Sequence, residues 1–210
     1  QNAKQIRLEK YDSDNGKSRV VRRNVLGSDG KAFSVQEKHF DVSTARSRLT
    51  KSVSDPGGLN LTRSYSYYPE GPLEGLPSVD VGEDGSWTRY EYDDQRRTTA
   101  EIRPWLDAPT NAPVNQCVGT RYSYDFVDTA DFLRGGDKRP RTVTEEVCGI
   151  EVTRTYHAYP TNGLGQAQVI EERAAFAGAP YGHASNRRTV KTYYAASAAL
   201  PLPGRLASIA

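Results

Sequence analysis

Aromatic and aliphatic side chains along this sequence recur at a spacing of two rather than three or four. In Thr88-Arg89-Tyr90-Glu91-Tyr92 and Thr120-Arg121-Tyr122-Ser123-Tyr124 the rings alternate with other residues, which places them on one face of a β-strand. Strand-like runs of this kind occupy residues 18–24, 31–40, 48–53, 59–67, 86–92, 97–103, 141–147, 150–156 and 168–173. Turn signals separate them: Asp29-Gly30, Pro56-Gly57-Gly58, Asp84-Gly85 and Cys148-Gly149. Asp-Gly between two such runs is a strong two-residue hairpin signal, because both residues tolerate a positive φ. The pattern predicts an all-β chain: an array of antiparallel β-hairpins forming a twisted or curved sheet. Residues 1–210 read as one continuous region.

The hairpins are also repeats. Thr62-Arg63-Ser64-Tyr65-Ser66-Tyr67, Thr88-Arg89-Tyr90-Glu91-Tyr92-Asp93, Thr120-Arg121-Tyr122-Ser123-Tyr124-Asp125 and Thr153-Arg154-Thr155-Tyr156 share one pattern, their threonines 26, 32 and 33 residues apart. Weaker copies stand at Tyr11-Asp12, Phe40-Asp41 and Tyr193-Tyr194. An aromatic-Asp pair therefore closes copy after copy. Such a unit is too small to bury a face alone, so its neighbours must supply the core.

Residues 85–99, Gly85-Ser86-Trp87-Thr88-Arg89-Tyr90-Glu91-Tyr92-Asp93-Asp94-Gln95-Arg96-Arg97-Thr98-Thr99, resemble the YD repeat of the RHS (rearrangement hotspot) family. Its pattern runs roughly G-x-x-x-x-Y-x-Y-D-x-x-G-R-L-T. The chain departs from it at Arg96, where the family has glycine, and another turn type is expected there. Phe40-Asp41 to Ala45-Arg46 is a degenerate copy with Ala in the glycine place, and the terminal Gly204 to Ile209 resembles the second half of a repeat. The resemblance implies a ribbon of hairpins that, in such proteins, coils into a hollow shell. Tyrosine pairs on one face would then meet in ladders, each cross-strand pair adding about 0.2–1 kcal/mol. On that reading Tyr65/Tyr67, Tyr90/Tyr92 and Tyr122/Tyr124 lie mostly buried in strands, with Gly85, Arg89, Asp93, Asp125 and Tyr156 as the other repeat-defining residues.

Composition changes what kind of core to expect. Val, Ile, Leu and Phe together make up fewer than one residue in five, and mean hydropathy is −0.71, values that border on disorder. Disorder also calls for high net charge, and this chain carries only +2,. Its 13 tyrosines favour strands and bury area despite their polar tips,. No apolar run approaches the roughly 20 residues that span a bilayer. The chain contains no Met, and the reading is a segment of a longer exported or cell-surface protein.

Motifs for chemistry are missing. There is no G-x-S-x-G, P-loop, G-x-G-x-x-G or H-E-x-x-H,, so neither an enzyme nor a cofactor is expected. His39, His157 and His183 are scattered, and two cysteines make no zinc site,. Glu91, Glu101, Glu145 and Glu151 read as a charged strand face. Arg22-Arg23, Arg96-Arg97 and Arg187-Arg188 are doublets balanced by acids rather than a nucleic-acid patch,. Cys117 and Cys148 precede the Thr-Arg strands of neighbouring repeats, and both a disulfide and two unpaired packing cysteines stay open. Trp105, in a loop, and Trp87 are candidate carbohydrate contacts, and Asn60-Leu61-Thr62 matches a glycosylation sequon,. Two functions from different classes follow. One is a structural repeat module, partnered by the remainder of its own chain or by an enclosed toxin domain. The other is a glycan-binding surface module.

Overall fold

The structure, a computed structural model, describes residues 5–13, 15–43, 46–127, 139–162, 166–193 and 206–209. Contacts divide the chain into two compact units, Gln1–Tyr90 and Glu91–Ala210. The first holds β1 (Gln5–Asp12), β2 (Ser18–Leu26), β3 (Ala32–Asp41), β4 (Arg48–Ser54), β5 (Leu61–Tyr67), β6 (Pro77–Val81) and most of β7 (Trp87–Tyr92). The second holds β8 (Thr98–Pro104), β9 (Cys117–Ser123), β10 (Thr142–Val147), β11 (Ile150–Ala158), β12 (Gln168–Arg173), β13 (Arg187–Tyr193) and β14 (Leu206–Ile209). Within each unit every strand pairs antiparallel with the next in the chain. The fold is all-β, as the period-two pattern predicts. Among the described residues its helical content is one 3-10 turn, Val114–Gln116. No helix there is long and apolar enough to cross a membrane.

Strand boundaries follow the sequence pattern closely where turn residues flank it. β12 coincides with the predicted run 168–173, and β10 and β4 differ from theirs by one residue at one end. β6 has no counterpart in the sequence reading. It is short and opens on Pro77, a residue that argues against a strand except at its first position.

The turns correct one expectation. Gly27 N–H donates to the Lys31 carbonyl at 2.8 Å and Gly82 N–H to the Ser86 carbonyl at 2.7 Å. The Asp-Gly hairpins therefore have three-residue loops rather than two. A three-residue loop is a type I turn followed by one left-handed residue, and Gly30 (φ +76°) and Gly85 (φ +81°) fill that place. The preceding aspartate selects it, since Asp29 Oδ1 accepts from Lys31 N–H at 3.1 Å and Asp84 Oδ1 from Ser86 N–H at 3.0 Å. The two-residue loop occurs instead at Cys148-Gly149, with both residues at positive φ between Val147 and Ile150.

Burial differs between the units. In the first, Val25, Val53 and Trp87 are the buried apolar side chains among the described residues. In the second, Ala100, Ile102, Cys117, Tyr156, Ala158 and Ile170 form a buried face, joined by Ala112 and Ala179 from the loops that fold against it.

Candidate functional site

The recurring aromatic-Asp pair closes a strand, and the arginine that opens the next strand returns opposite the aspartate. Asp12 faces Arg19 and Asp41 faces Arg48 in register, and Arg19 Nε donates to Asp12 Oδ1 at 2.5 Å. Asp93 does most with this arrangement. Its Oδ1 accepts from the backbone N–H groups of Gln95 (3.0 Å) and Arg97 (2.9 Å), and its Oδ2 from Arg97 Nε at 2.6 Å. Burial pushes the Asp93 carboxyl up, but these Arg97 and Gln95 donors together hold it below the usual carboxylate value,.

The resulting loop has the same three-residue form as the Asp-Gly turns, with Asp93 N–H donating to the Arg97 carbonyl at 3.0 Å. Arg96 takes the left-handed place at φ +62°. The expectation of another turn type is thus corrected: Arg96 adopts the conformation that glycine supplies at Gly30 and Gly85. Asp93 imposes it by tying down the backbone on both sides of the strained residue.

A tyrosine from farther along the chain then locks onto the arginine-led strand. Tyr124 OH donates to the Thr98 carbonyl at 2.8 Å, and the Arg97 guanidinium lies 4.1 Å from the centre of the same ring. Tyr159 OH donates to the Pro140 carbonyl at 3.2 Å, with Arg139 at 3.8 Å from the ring. Tyr67 OH donates to the Leu49 carbonyl at 2.7 Å, next to Arg48. Each time the acceptor is the residue immediately after an arginine. Such a bond is worth about 0.5–1.5 kcal/mol net, and a guanidinium over a ring adds about 0.5–1 kcal/mol or more where water is excluded. Burial raises the phenols of Tyr67 and Tyr124 above their usual value, so both stay protonated donors at neutral pH.

The sequence-predicted tyrosines lie in or directly beside strands, but Tyr65, Tyr67, Tyr90, Tyr92, Tyr122 and Tyr124 are half-buried rather than mostly buried. Their geometry explains why. The rings have polar neighbours and stay partly wet: Arg63 stacks 5.4 Å from Tyr65, Tyr122 is hydrogen-bonded to Glu101, and beside Tyr90 its own carbonyl accepts from Tyr68 OH at 2.9 Å. Tyr156 is the buried one. It donates to the Ala179 carbonyl at 2.6 Å and meets Tyr181 edge-on. Asp125 is exposed and shares a long bond with Ser123. Ala45, Tyr194, Gly204 and Arg205, and most of the 126–140 connection, lie outside the described residues.

Trp87 is 5 % exposed, with Arg89 stacked 5.8 Å from its ring, so its faces are not open to a sugar. Trp105 is 47 % exposed, beside the more exposed Leu106. Cys117 is buried and Cys148 half-buried, and no disulfide joins them. Asn60 is exposed, directly after the 56–59 turn. Two polar grooves of about 500 Å³ lie on the sheet faces. One, beside Trp87, holds the Arg63–Asp80 pair. The other holds Arg121, paired to Glu146 at 2.8 Å, and Arg154, paired to Glu151. Arg63 and Arg121 are engaged by neighbouring strands and Arg154 by Glu151 of its own strand, and no group of three metal-ligating residues occurs among the described residues.

Three functional side chains escaped the sequence reading. Tyr68 and Tyr159 share a signal that could have found them, a Tyr-Pro pair at the end of a strand. Glu172, 2 % exposed, accepts from Gly182 N–H and from Asn186 Nδ2 at 2.7 Å. It anchors the 174–186 loop over β11 and β12. Nothing in Glu171-Glu172-Arg173 distinguishes it from surface charge.

No protein-family model matches the chain, and no curated protein shows significant similarity to it.

Proposed function

We propose that the chain is a non-catalytic structural module, a run of RHS/YD-like hairpin repeats within a larger exported or cell-surface protein. One observation carries this reading. The same bond, from a tyrosine hydroxyl to the carbonyl that follows an arginine, recurs at Tyr67, Tyr124 and Tyr159. It joins segments 18 to 26 residues apart, and a bond repeated at that interval serves the array rather than one site. The residues of the repeat are spent on holding hairpins together, with the aspartates shaping turns and the arginines bridging strands. Partners in this reading are the remainder of the longer chain and a toxin domain enclosed by it, with no role for nucleic acid.

A second reading, a glycan-binding surface module, is favoured by the exposure of Trp105 beside Leu106, since an open aromatic face is what a sugar ring stacks on. A glycan panel separates the two. The structural module predicts no saturable binding by the wild-type chain, together with a lowered melting temperature in Tyr67→Phe/Tyr124→Phe/Tyr159→Phe. Saturable binding that Trp105→Ala abolishes at unchanged melting temperature would replace it with the binding module.

A further inference from the structure

The two cysteines are 31 positions apart in sequence and one backbone hydrogen bond apart in space. β9 opens on Cys117, and β10 ends at Val147, which faces Val118 in register. One residue beyond that pair, Cys148 N–H donates to the Cys117 carbonyl at 2.8 Å. By standard backbone dimensions that single bond keeps the two Cα atoms at most about 6.7 Å apart, inside the roughly 4.4–6.8 Å span of disulfides.

Three features surround the pair. Cys148 takes the first place of the two-residue turn at φ +52°, a left-handed conformation that strains a residue with a side chain. Any asparagine or glycine would fill that place with less strain. The turn rests on the segment leading into Cys117: a Cβ built on Gly149 would lie 3.7 Å from Asn115 Cα. Cys117 is 1 % exposed, its Sγ facing the carbonyls of Pro113 (3.4 Å) and Ala112 (3.9 Å) of that same segment. A half-buried cysteine in a strained turn is therefore joined through its backbone to a buried cysteine whose thiol is closely packed.

We propose that Cys117 and Cys148 form a redox couple that closes into an internal disulfide by exchange with a small-molecule disulfide. The Cys148 thiolate attacks one sulfur of R–S–S–R, forming a mixed disulfide and releasing RS⁻. The Cys117 thiolate then attacks Cys148 Sγ, forming the internal bond and releasing the second RS⁻. The two cysteine protons go to solvent or to the released thiolates. The protein loses two electrons and R–S–S–R gains them, ending as two RSH. Cys148 is the entry point because it is the more accessible of the two, and exposure governs which thiol reacts first. Closure would cross-link the start of β9 to the β10–β11 turn. That property is independent of whether the chain is a scaffold or a glycan binder.

The test is oxidation of the full chain with oxidised glutathione, followed by intact mass measurement and peptide mapping, then reversal with dithiothreitol. The expected result is loss of the mass of two hydrogen atoms in the monomer, one cross-linked peptide pair containing Cys117 and Cys148, and full return on reduction. Cys148→Ser should then take up no glutathione and show no mass loss, its Cys117 staying resistant to alkylation until the chain is denatured. A persistent glutathione adduct on Cys148 in the folded wild-type monomer would overturn the proposal. So would a disulfide-linked dimer as the main product, and both readouts use the wild-type chain, so they stand whether or not a variant folds.

Discussion

Gln1–Tyr90 and Glu91–Ala210 are built by the same chain-order pairing of antiparallel strands, yet they hold those strands together differently. The first unit works from side to side. Arg19 reaches Asp12, Arg22 reaches Glu37 and Arg63 reaches Asp80, each across one strand-to-strand gap, while Ile6 and Leu8 on β1 remain exposed. The second unit adds a layer. The segment around Val114–Gln116 brings in Ala112 and Cys117, and the 174–186 loop brings in Ala179, so that more of one sheet face is buried than in the first unit. A sheet with too few aliphatic residues thus has two solutions: exposed ion pairs worth about 0–1 kcal/mol each, or loops that supply the missing apolar cover. In the second unit the 105–116 and 174–186 connections are therefore part of the core, through Ala112 and Ala179.

The largest expected effect follows from that cover. Ile102→Ala removes a side chain 1 % exposed and should cost about 2–5 kcal/mol. Leu8→Ala, at a position 68 % exposed, should stay within about 0.5 kcal/mol. Denaturant unfolding of both variants measures the gap. Equal losses would mean that the first unit has a buried face of its own and would break the comparison.

Tyrosine hydroxyls come next. Tyr124→Phe should lose about 1 kcal/mol, the net worth of a bond to a partly buried carbonyl. Tyr11→Phe should lose almost nothing measurable, because Tyr11 OH turns back to Glu9 two residues away on an exposed strand, and exposed contacts of that kind fall within about 0.5 kcal/mol. Urea midpoints for the two single variants rank them. A larger loss for Tyr11→Phe would show that the repeated bond to an arginine-led strand carries no special weight.

Acid should separate the units by pH rather than by size of effect. Burial holds His157 below the usual histidine value of 6.5, with Glu171 favouring the charged form and Lys191 opposing it. The unfolded chain therefore binds this proton more readily than the folded one, so stability is complete above pH 6.5 and falls as pH drops from there through the lowered folded value. Asp12 in the first unit is held below its usual 3.8 by its bond to Arg19, so its contribution is present above that pH and fades only below it. Melting temperature against pH should show a decline beginning below 6.5 that His157→Gln flattens. A wild-type profile flat from pH 7 to 4 would remove His157 from the account.

How much of this was legible in sequence depends on how local the cause is. Period-two rings and Gly-containing turns are local, and they place most strands to within a residue or two. The aspartate of Tyr92-Asp93 was visible as a repeat element, and its bonds to Gln95 and Arg97 are equally local. Glu172 was not legible, since its burial depends on a loop folding back from residues 174–186. Trp87 was misjudged for a related reason: an indole on a strand reads the same whether its face is open or stacked under Arg89. The tyrosines were legible in part. Spacing gave the face on which the rings lie but not partners such as the Leu49 and Thr98 carbonyls of Tyr67 and Tyr124 or the Arg97 guanidinium, because those come from segments distant in sequence.

The smallest effect bears on the one place where the two units use the same turn with different residues. Gly30 and Gly85 in the first unit and Arg96 in the second occupy equivalent left-handed positions, at φ +76°, +81° and +62°. A side chain there costs roughly 1–2 kcal/mol in backbone strain, while glycine returns about 0.5–1 kcal/mol of that through the freedom of the unfolded chain. Arg96→Gly should therefore stabilise by about 0.5 kcal/mol, and Gly85→Ala, which adds the strain and fills open space, should destabilise by a similar amount. The two substitutions run in opposite directions through one conformation, so their shifts in unfolding midpoint should be opposite in sign. If Arg96→Gly instead destabilises, the contacts of the arginine side chain outweigh its backbone strain, and the glycine-free turn is held by Arg96 as well as by Asp93.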